Sequence, residues 1–118
     1  MRNVIAVVLV FGAVAAPAAF AAPHISSVVD VAAPKDGLRY TTRTLHAKAG
    51  RIELVFRNSS MLRHNVRLEQ GEKEFGGTKT IAHGTTKAFV TLRRGVYHFY
   101  CSVPGHEDAG MSGTLNVS

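Results

Sequence analysis

The stretch from Tyr97 to Val117 constrains the fold of this chain more than any other part of the sequence. Its first residues alternate, so that Tyr97, Phe99 and Cys101 fall on one face of an extended chain. The residues after Met111 alternate in the same way, and the segment between is interrupted by Pro and Gly, which favour a compact loop. The stretch therefore predicts two core strands joined by a loop, with an inward-facing cysteine at the end of the first strand.

The rest of the chain also predicts strands rather than helices. The run 51–57 alternates with Ile52, Leu54 and Phe56 inward, and Phe89 is expected to be central in the run 85–92. Residues 70–84 fit either a short helix or an irregular strand. Further candidate strands are the runs 25–31, 38–40, 44–48 and 64–68. About seven or eight short strands predict an all-β protein, a two-sheet Greek-key β-sandwich.

Residues 1–21 have the pattern of a secretory signal peptide. Arg2 precedes an apolar run, and the segment ends in Ala19-Phe20-Ala21, the small-residue pattern of a cleavage site. An uncleaved anchor is the alternative, but Pro17 and the small-residue end argue for removal. We therefore expect a periplasmic protein whose single domain spans residues 22–118.

Four side chains form a candidate metal site. Cys101, His106 and Met111 follow each other at intervals of five residues, and His64 opens a second alternating run upstream. Taken singly, each has an ordinary interpretation as a buried thiol, a strand histidine or core packing. Taken together, a thiolate, two imidazoles and a thioether are the ligands of a blue-copper site. A structural zinc site does not use methionine, and a c-type haem or a dinuclear copper site needs a second cysteine.

The sequence resembles the cupredoxins, small copper proteins of the plastocyanin, amicyanin and auracyanin kind, from about Leu38 to the C-terminus. The resemblance rests on four segments: His64-Asn65, Gly95-Val96-Tyr97-His98-Phe99-Tyr100-Cys101, Pro104-Gly105-His106 and Gly110-Met111. It implies one type 1 copper ion and one-electron transfer between Cu(I) and Cu(II), with Met111 as the weak axial ligand. The Cys-x4-His-x4-Met spacing is longer than plastocyanin's Cys-to-His span and azurin's His-to-Met span, so no individual member is assigned.

The resemblance also implies where partners bind. In cupredoxins the histidine at the position of His106 reaches the surface inside an apolar ring, which docks the electron donor and acceptor. Asn65 is expected to tie the His64 segment to the cysteine loop by hydrogen bonds. Tyr100 is either a second port for electrons or an ordinary exposed strand tyrosine. The residues expected in the apolar ring are Met61, Leu62, Val103 and Pro104.

Charge and motif content narrow the function. The net charge is +6, but the basic residues are scattered without interleaved aromatic residues, which argues against nucleic acid. The charge favours an acidic partner or an anionic membrane surface, and equally fits a purely solubilising role. We expect no stable oligomer. We also expect no enzyme, because Cys101 is flanked by Tyr100 and Ser102 rather than by a histidine leading to a second metal. The alternative is a periplasmic copper carrier.

Overall fold

The computed structural model describes residues 8–118, and within them the chain forms strands and no helix. Residues 8–24 are exposed and have no regular structure, and residues 1–7 of the predicted signal peptide lie outside the described residues. No helix in residues 8–118 has the length and apolarity needed to cross a membrane. The eight strands are β1 (Ile25–Ala33), β2 (Thr44–Ala47), β3 (Gly50–Asn58), β4 (Arg67–Gln70), β5 (Lys73–Gly77), β6 (Gly84–Leu92), β7 (Gly95–Tyr100) and β8 (Ser112–Val117).

The strands form two sheets, which confirms the predicted β-sandwich. One sheet has three strands in the order β1-β3-β6, and the other has five in the order β2-β8-β7-β4-β5. β1 pairs with β3 and β2 pairs with β8 in parallel, while the remaining pairs are antiparallel. The parallel pairs join strands that are distant in sequence or separated by intervening elements, because parallel neighbours cannot be joined by a tight hairpin.

The core lies between the two sheets and follows the predicted alternation. Ile52, Leu54 and Phe56 on β3 are 0%, 1% and 0% exposed. Tyr97 and Phe99 on β7 are equally buried from the other sheet, as period-two alternation requires. Burying a large apolar side chain contributes about 1.5–3 kcal/mol, so this layer supplies much of the driving force for folding.

The expectation for Phe89 was wrong, because this residue lies on the outer face of β6. Phe89 is 49% exposed, while Val90 and Leu92 point inward. Phe89 pairs in register with Glu53, which also faces away from the core, and the Arg51 guanidinium lies 4.1 Å from the centre of its ring. Its neighbours in β6 therefore take the core positions, and a cation covers the exposed ring.

The run 38–40 was also predicted incorrectly as a strand. It belongs to a loop of bends, and only Tyr40 in it is buried. The Tyr40 ring packs against Phe56 and Phe99, one from each sheet, with ring centroids 6.2 and 5.3 Å apart. Tyr40 is thus a core residue that lies on a loop. Burial of its aromatic ring stabilises this position although residues 38–40 form no strand.

The predicted strand 64–68 begins three residues later than expected. His64 makes only an isolated bridge to Ile81, and β4 starts at Arg67. His64, Asn65 and Val66 are all buried, so the alternation does not apply to them. This segment enters the sandwich interior before it joins the sheet edge.

The undecided segment 70–84 contains an edge strand, β5, which pairs antiparallel with β4 across an irregularity between Leu68 and Glu69. Gly77 at its end has a φ of +154°, and a Cβ there would lie 2.0 Å from the carbonyl oxygen of Val66. The close approach therefore requires glycine, and the irregular backbone explains why no simple period was visible.

The registers give the sandwich two distinct ends. Tyr100 pairs with Ser112 at one end of the β7–β8 pair, and Gly95 pairs with Val117 at the other. Cys101 and the loop after it therefore lie at the first end. The turn containing Arg93 and Arg94 lies at the second, as the sequence predicted, together with the beginning of β1, where Ile25 pairs with Arg51.

Candidate metal centre

The loop between β7 and β8 carries three of the predicted metal ligands, Cys101, His106 and Met111, and is closed by its own backbone. The Cys101 amide donates to the Met111 carbonyl at 3.1 Å, and the Met111 amide donates to the His106 carbonyl at 3.0 Å. Gly105 and Gly110 have φ values of +82° and +106°, a region that side chains disfavour. The two glycines let a short loop fold back on itself and bring His106 over the end of β7.

His64 reaches the same end of the sandwich from the segment between β3 and β4. Its amide and carbonyl exchange two hydrogen bonds of 3.0 Å with Ile81. The side-chain Nδ2 of the buried Asn58 donates to the backbone carbonyls of Leu62 and Ile81, at 2.9 and 2.8 Å, and so holds the loop that precedes His64. The His64 backbone is therefore fixed on both sides although it belongs to no strand.

The structure brings three of the four predicted ligand side chains together at one point. The Nδ1 atoms of His64 and His106 lie 3.1 Å apart. The Cys101 Sγ atom lies 3.9 Å from the His64 Nδ1 and 3.5 Å from the His106 Nδ1. Met111, the fourth, is 0% exposed and is joined to Cys101 by the backbone hydrogen bond described above.

Burial and electrostatics keep this cluster suited to a metal. Burial, followed by the proximity of His106, lowers the pKa of His64 below its usual value, so His64 is held as a neutral imidazole. Its Nε2 atom is buried and has no hydrogen-bond partner in residues 8–118. Two imidazole Nδ1 atoms and a thiol within 4 Å form a convergent set of soft and borderline donors. With the Met111 thioether, this donor chemistry fits copper.

The predicted role of Asn65 in connecting the two halves of the cluster is confirmed. Its side-chain oxygen accepts from the Ser102 amide at 2.9 Å, and its Nδ2 donates to the Ser102 hydroxyl at 2.7 Å. Nδ2 also donates to the Thr80 hydroxyl at 2.8 Å, and the Asn65 carbonyl accepts from the Tyr40 hydroxyl at 2.5 Å. Sequence reasoning missed Thr80 and Tyr40, since nothing in the irregular segment or the loop marked them as neighbours of Asn65.

The outer face of β7 is separately organised beside the cluster. His98 points outward, as predicted, and stacks on Tyr100 with ring centroids 5.7 Å apart and planes 13° apart. The Tyr100 hydroxyl donates to Glu74, which raises the pKa of Tyr100 to about 12. Glu74 also pairs with Arg67 at 2.9 Å. At neutral pH Tyr100 is therefore a neutral, anchored phenol adjacent in sequence to Cys101.

The residues predicted to form an apolar ring differ in exposure. Met61 and Leu62 are 78% and 52% exposed on the loop that precedes His64. Pro104 is exposed and Val103 is half-buried on the loop that carries His106, which is itself half-buried. Both loops belong to the metal end of the sandwich.

Comparisons with known proteins match this arrangement. The family model described as copper-binding proteins of the plastocyanin/azurin family matches residues 27–118. Reduced auracyanin from the photosynthetic bacterium Roseiflexus castenholzii is 20% identical, with a TM-score of 0.70 over 79% of this chain and 97% of that chain. An azurin from Methylomonas sp. strain J is 19% identical, with a TM-score of 0.69 over 79% of this chain and 98% of that chain.

A third similar structure is rusticyanin from Thiobacillus ferrooxidans, 20% identical, with a TM-score of 0.67 over 79% of this chain and 78% of that chain. At such identities the three structures support the fold, and the family match covers the segments that hold His64 and the Cys101 loop. No curated protein matches the chain in sequence.

Proposed function

Because the chain belongs to the plastocyanin/azurin family of copper-binding proteins, we propose that it is an exported electron carrier that moves single electrons between two redox partners. Its cofactor is one copper ion, which when bound supplies the Cu(I)/Cu(II) couple. The observation that carries the proposal is the convergence of the Nδ1 atoms of His64 and His106 with the sulfur of Cys101, all within 4 Å.

The ligand assignment follows from the donors that converge. His64 and His106 would bind copper through Nδ1, Cys101 through its thiolate, and Met111 through its thioether as the weakest of the four ligands. The buried position of Cys101, 1% exposed, protects the thiolate from oxidation and from competing ligands. Met111 is fully buried beside it, which suits a ligand that tunes the potential without reaching solvent.

The protein's contribution to electron transfer is a fixed frame. Cu(I) and Cu(II) prefer different coordination, so a site whose ligands cannot move lowers the rearrangement that accompanies each transfer. Asn65 ties the His64 segment to Ser102 by two hydrogen bonds of 2.7 and 2.9 Å, and Ile81 holds the His64 backbone. These contacts set the separation of the His64 and Cys101 side chains independently of the metal.

Electrons would enter and leave at His106, the more exposed of the two histidines. Met61 and Leu62, together with Pro104 and Val103, supply apolar surface on the loops at this end. A small apolar surface supports weak, short-lived docking, which suits a carrier that must release each partner quickly.

Export and the absence of an enzymatic reaction complete the proposal. We propose that residues 1–21 are removed as a signal peptide and that residues 22–118 act in the periplasm, where no intramolecular disulfide is formed because Cys101 is the only cysteine. Cys101 is followed by Ser102 rather than by a histidine, so the chain carries no route from this site to a second metal centre.

The test is a visible spectrum of residues 22–118 after addition of Cu(II), then ascorbate, then air. We expect an intense blue band that bleaches on reduction and returns on oxidation, and copper that is lost only slowly to a chelator. Rapid loss of copper to the chelator with the band otherwise intact would favour the copper carrier. A pale spectrum would show that Cys101 does not bind copper, and would contradict the proposal.

A further inference from the structure

A second group of metal-binding side chains lies on the outer face of the five-stranded sheet. It consists of Glu69 on β4, His98 on β7 and Glu107 on the loop between β7 and β8, and one donor atom from each lies within 4.8 Å of the other two. Glu69 and His98 are register partners in adjacent strands, while their neighbours Leu68 and Phe99 are buried. Glu69 and His98 therefore face solvent, and Glu107 folds over them.

The histidine in this group has a defined orientation. His98 Nε2 lies 2.9 Å from the Glu107 carboxylate, and the His98 ring stacks on Tyr100. Tyr100 is in turn held by Glu74 through its hydroxyl. The stacked ring therefore presents Nε2 towards the Glu107 carboxylate without the loss of ring freedom that a mobile surface histidine would suffer on binding a ligand.

Apart from His98 itself, the two carboxylates have no lysine or arginine partner in the part of the chain that the structure describes. Arg67, the nearest arginine along β4, is already paired with Glu74 at 2.9 Å. In a chain with a net charge of +6, two carboxylates thus converge on an imidazole instead of on one of the many cations available. The negative charge gathered there is complementary to a divalent cation.

We propose that Glu69, His98 and Glu107 form a second metal site, for a zinc-type divalent ion. One imidazole nitrogen and two carboxylate oxygens are a ligand set that zinc accepts, with a water as the fourth ligand. Tetrahedral ligands at zinc distances lie about 3.3 Å from one another. The donor atoms are now up to 4.8 Å apart. Rotation of the two glutamate side chains, neither of which is buried, can shorten these distances to the value for zinc ligands.

An ion bound at this position would also affect the structure of the β7–β8 loop. Its ligands come from two strands and from the residue directly after His106, so the ion cross-links the β7–β8 loop to the sheet. None of its ligands belongs to the cluster of His64, Cys101 and His106. The inference therefore stands whether or not that cluster carries electrons.

The experiment is a calorimetric titration of the copper-loaded protein with Zn²⁺ while the blue band is recorded. We expect one equivalent of Zn²⁺ to bind without loss of the band. His98→Gln and Glu69→Gln should each weaken Zn²⁺ binding about tenfold or more, because even partners outside the ligand sphere change metal affinity by that factor. The matched control is His46→Gln, since His46 is an exposed histidine on β2 outside the group, and it should leave the affinity unchanged.

Equal Zn²⁺ affinity in the wild-type protein and both variants would overturn the second site, as would Zn²⁺ uptake that occurs only as the blue band disappears. Both substituted residues are partly exposed, so the variants should fold, which their circular dichroism spectra check. If no blue band forms at all, the proposed copper function fails. The comparison of wild type with His98→Gln, titrated in the metal-free state, then still decides the zinc site.

Discussion

The two histidines of the metal centre are held in different ways. His64 is 0% exposed, belongs to no strand and is fixed by Ile81, with Asn65 binding the adjacent loop. His106 is half-buried on a loop whose turns depend on Gly105 and Gly110. One histidine is part of the protein interior and the other is part of its surface. The difference indicates that the buried side and the solvent-facing side of the site are built from separate segments.

The largest expected effect comes from removing Cys101, whose sulfur lies within 4 Å of the Nδ1 atoms of both histidines. Cys101→Ser should abolish the blue band, because a hydroxyl does not provide the thiolate that a blue-copper site requires. Visible absorption after addition of Cu(II) measures this. Ser102→Ala, at the next position, is the control that should keep the band, and an intense blue Cys101→Ser protein would remove Cys101 from the metal site.

Two glycine variants test whether His64 and His106 differ in their access to solvent. His64→Gly and His106→Gly should both lose the band, but added imidazole should restore it only in His106→Gly, whose side chain is partly open to solvent. His64→Gly should also lower the free energy of unfolding of the metal-free protein by roughly 2–3 kcal/mol, since it leaves a buried cavity. Equal rescue of both variants by imidazole would show that the two sides are not different.

A third prediction tests whether Met111 is the copper ligand that tunes the reduction potential. Met111→Gln should keep the blue band and lower the reduction potential, because an amide oxygen favours Cu(II) more than a thioether does. Voltammetry of the two proteins measures the shift. Met61→Gln, in an exposed methionine before His64, is the control and should leave the potential nearly unchanged. An unchanged potential in Met111→Gln would exclude Met111 as the axial ligand.

Asn65 tests the strength of the connection between the segments. Asn65→Ala removes the acceptor for the Ser102 amide and two donated hydrogen bonds, which should cost about 1–3 kcal/mol of stability in the metal-free protein. Urea denaturation measures this cost. Asn116→Ala on β8 replaces an asparagine that is only half-buried, and should change stability by less than about 0.5 kcal/mol. Similar losses in both variants would mean that Asn65 has no special role.

The smallest effect is expected at Glu74, outside both segments. The hydrogen bond from Tyr100, followed by that from Arg67, lowers the pKa of the Glu74 carboxyl. A folded-state pKa below the unfolded value contributes stability above the unfolded pKa, and the contribution disappears as the pH falls through the folded pKa. Glu74→Gln should therefore be slightly less stable than wild type at pH 7 and equal to it in acid. Because Glu74 is exposed, solvent screening keeps the difference small.

Period-two alternation was enough to predict the sandwich and the inward faces of β3 and β7, because each of these strands has one face in the core. It failed at Phe89, where an aromatic residue is covered by Arg51 on the outside of the sheet. It also failed at residues 64–66, which are all buried and therefore show no alternation. Local pattern does not reveal which exposed positions acquire a partner from another strand.

The metal cluster was predicted more completely than the contacts around it. Residue type and spacing singled out His64, Cys101 and His106, and the structure brings them together. The contacts of Asn65 with Thr80 and Tyr40 depend on the segment 70–84, which the sequence left undecided, and on residues 38–40, which it predicted wrongly as a strand. The Glu69–His98–Glu107 group was missed because it requires the register of β4 against β7, which is a long-range pairing.

The two ends of the sandwich have a practical consequence for attaching the protein to a surface. Ile25 and Val117 lie at the end opposite Cys101, separated from it by the length of β7, whose six residues span roughly 20 Å. A linker added before Ile25 or after Ser118 would leave the His106 end facing solution, open to soluble partners. If electrons enter at His106 as proposed, an electrode attached before Ile25 or after Ser118 should give slower electron transfer than one attached near Pro104.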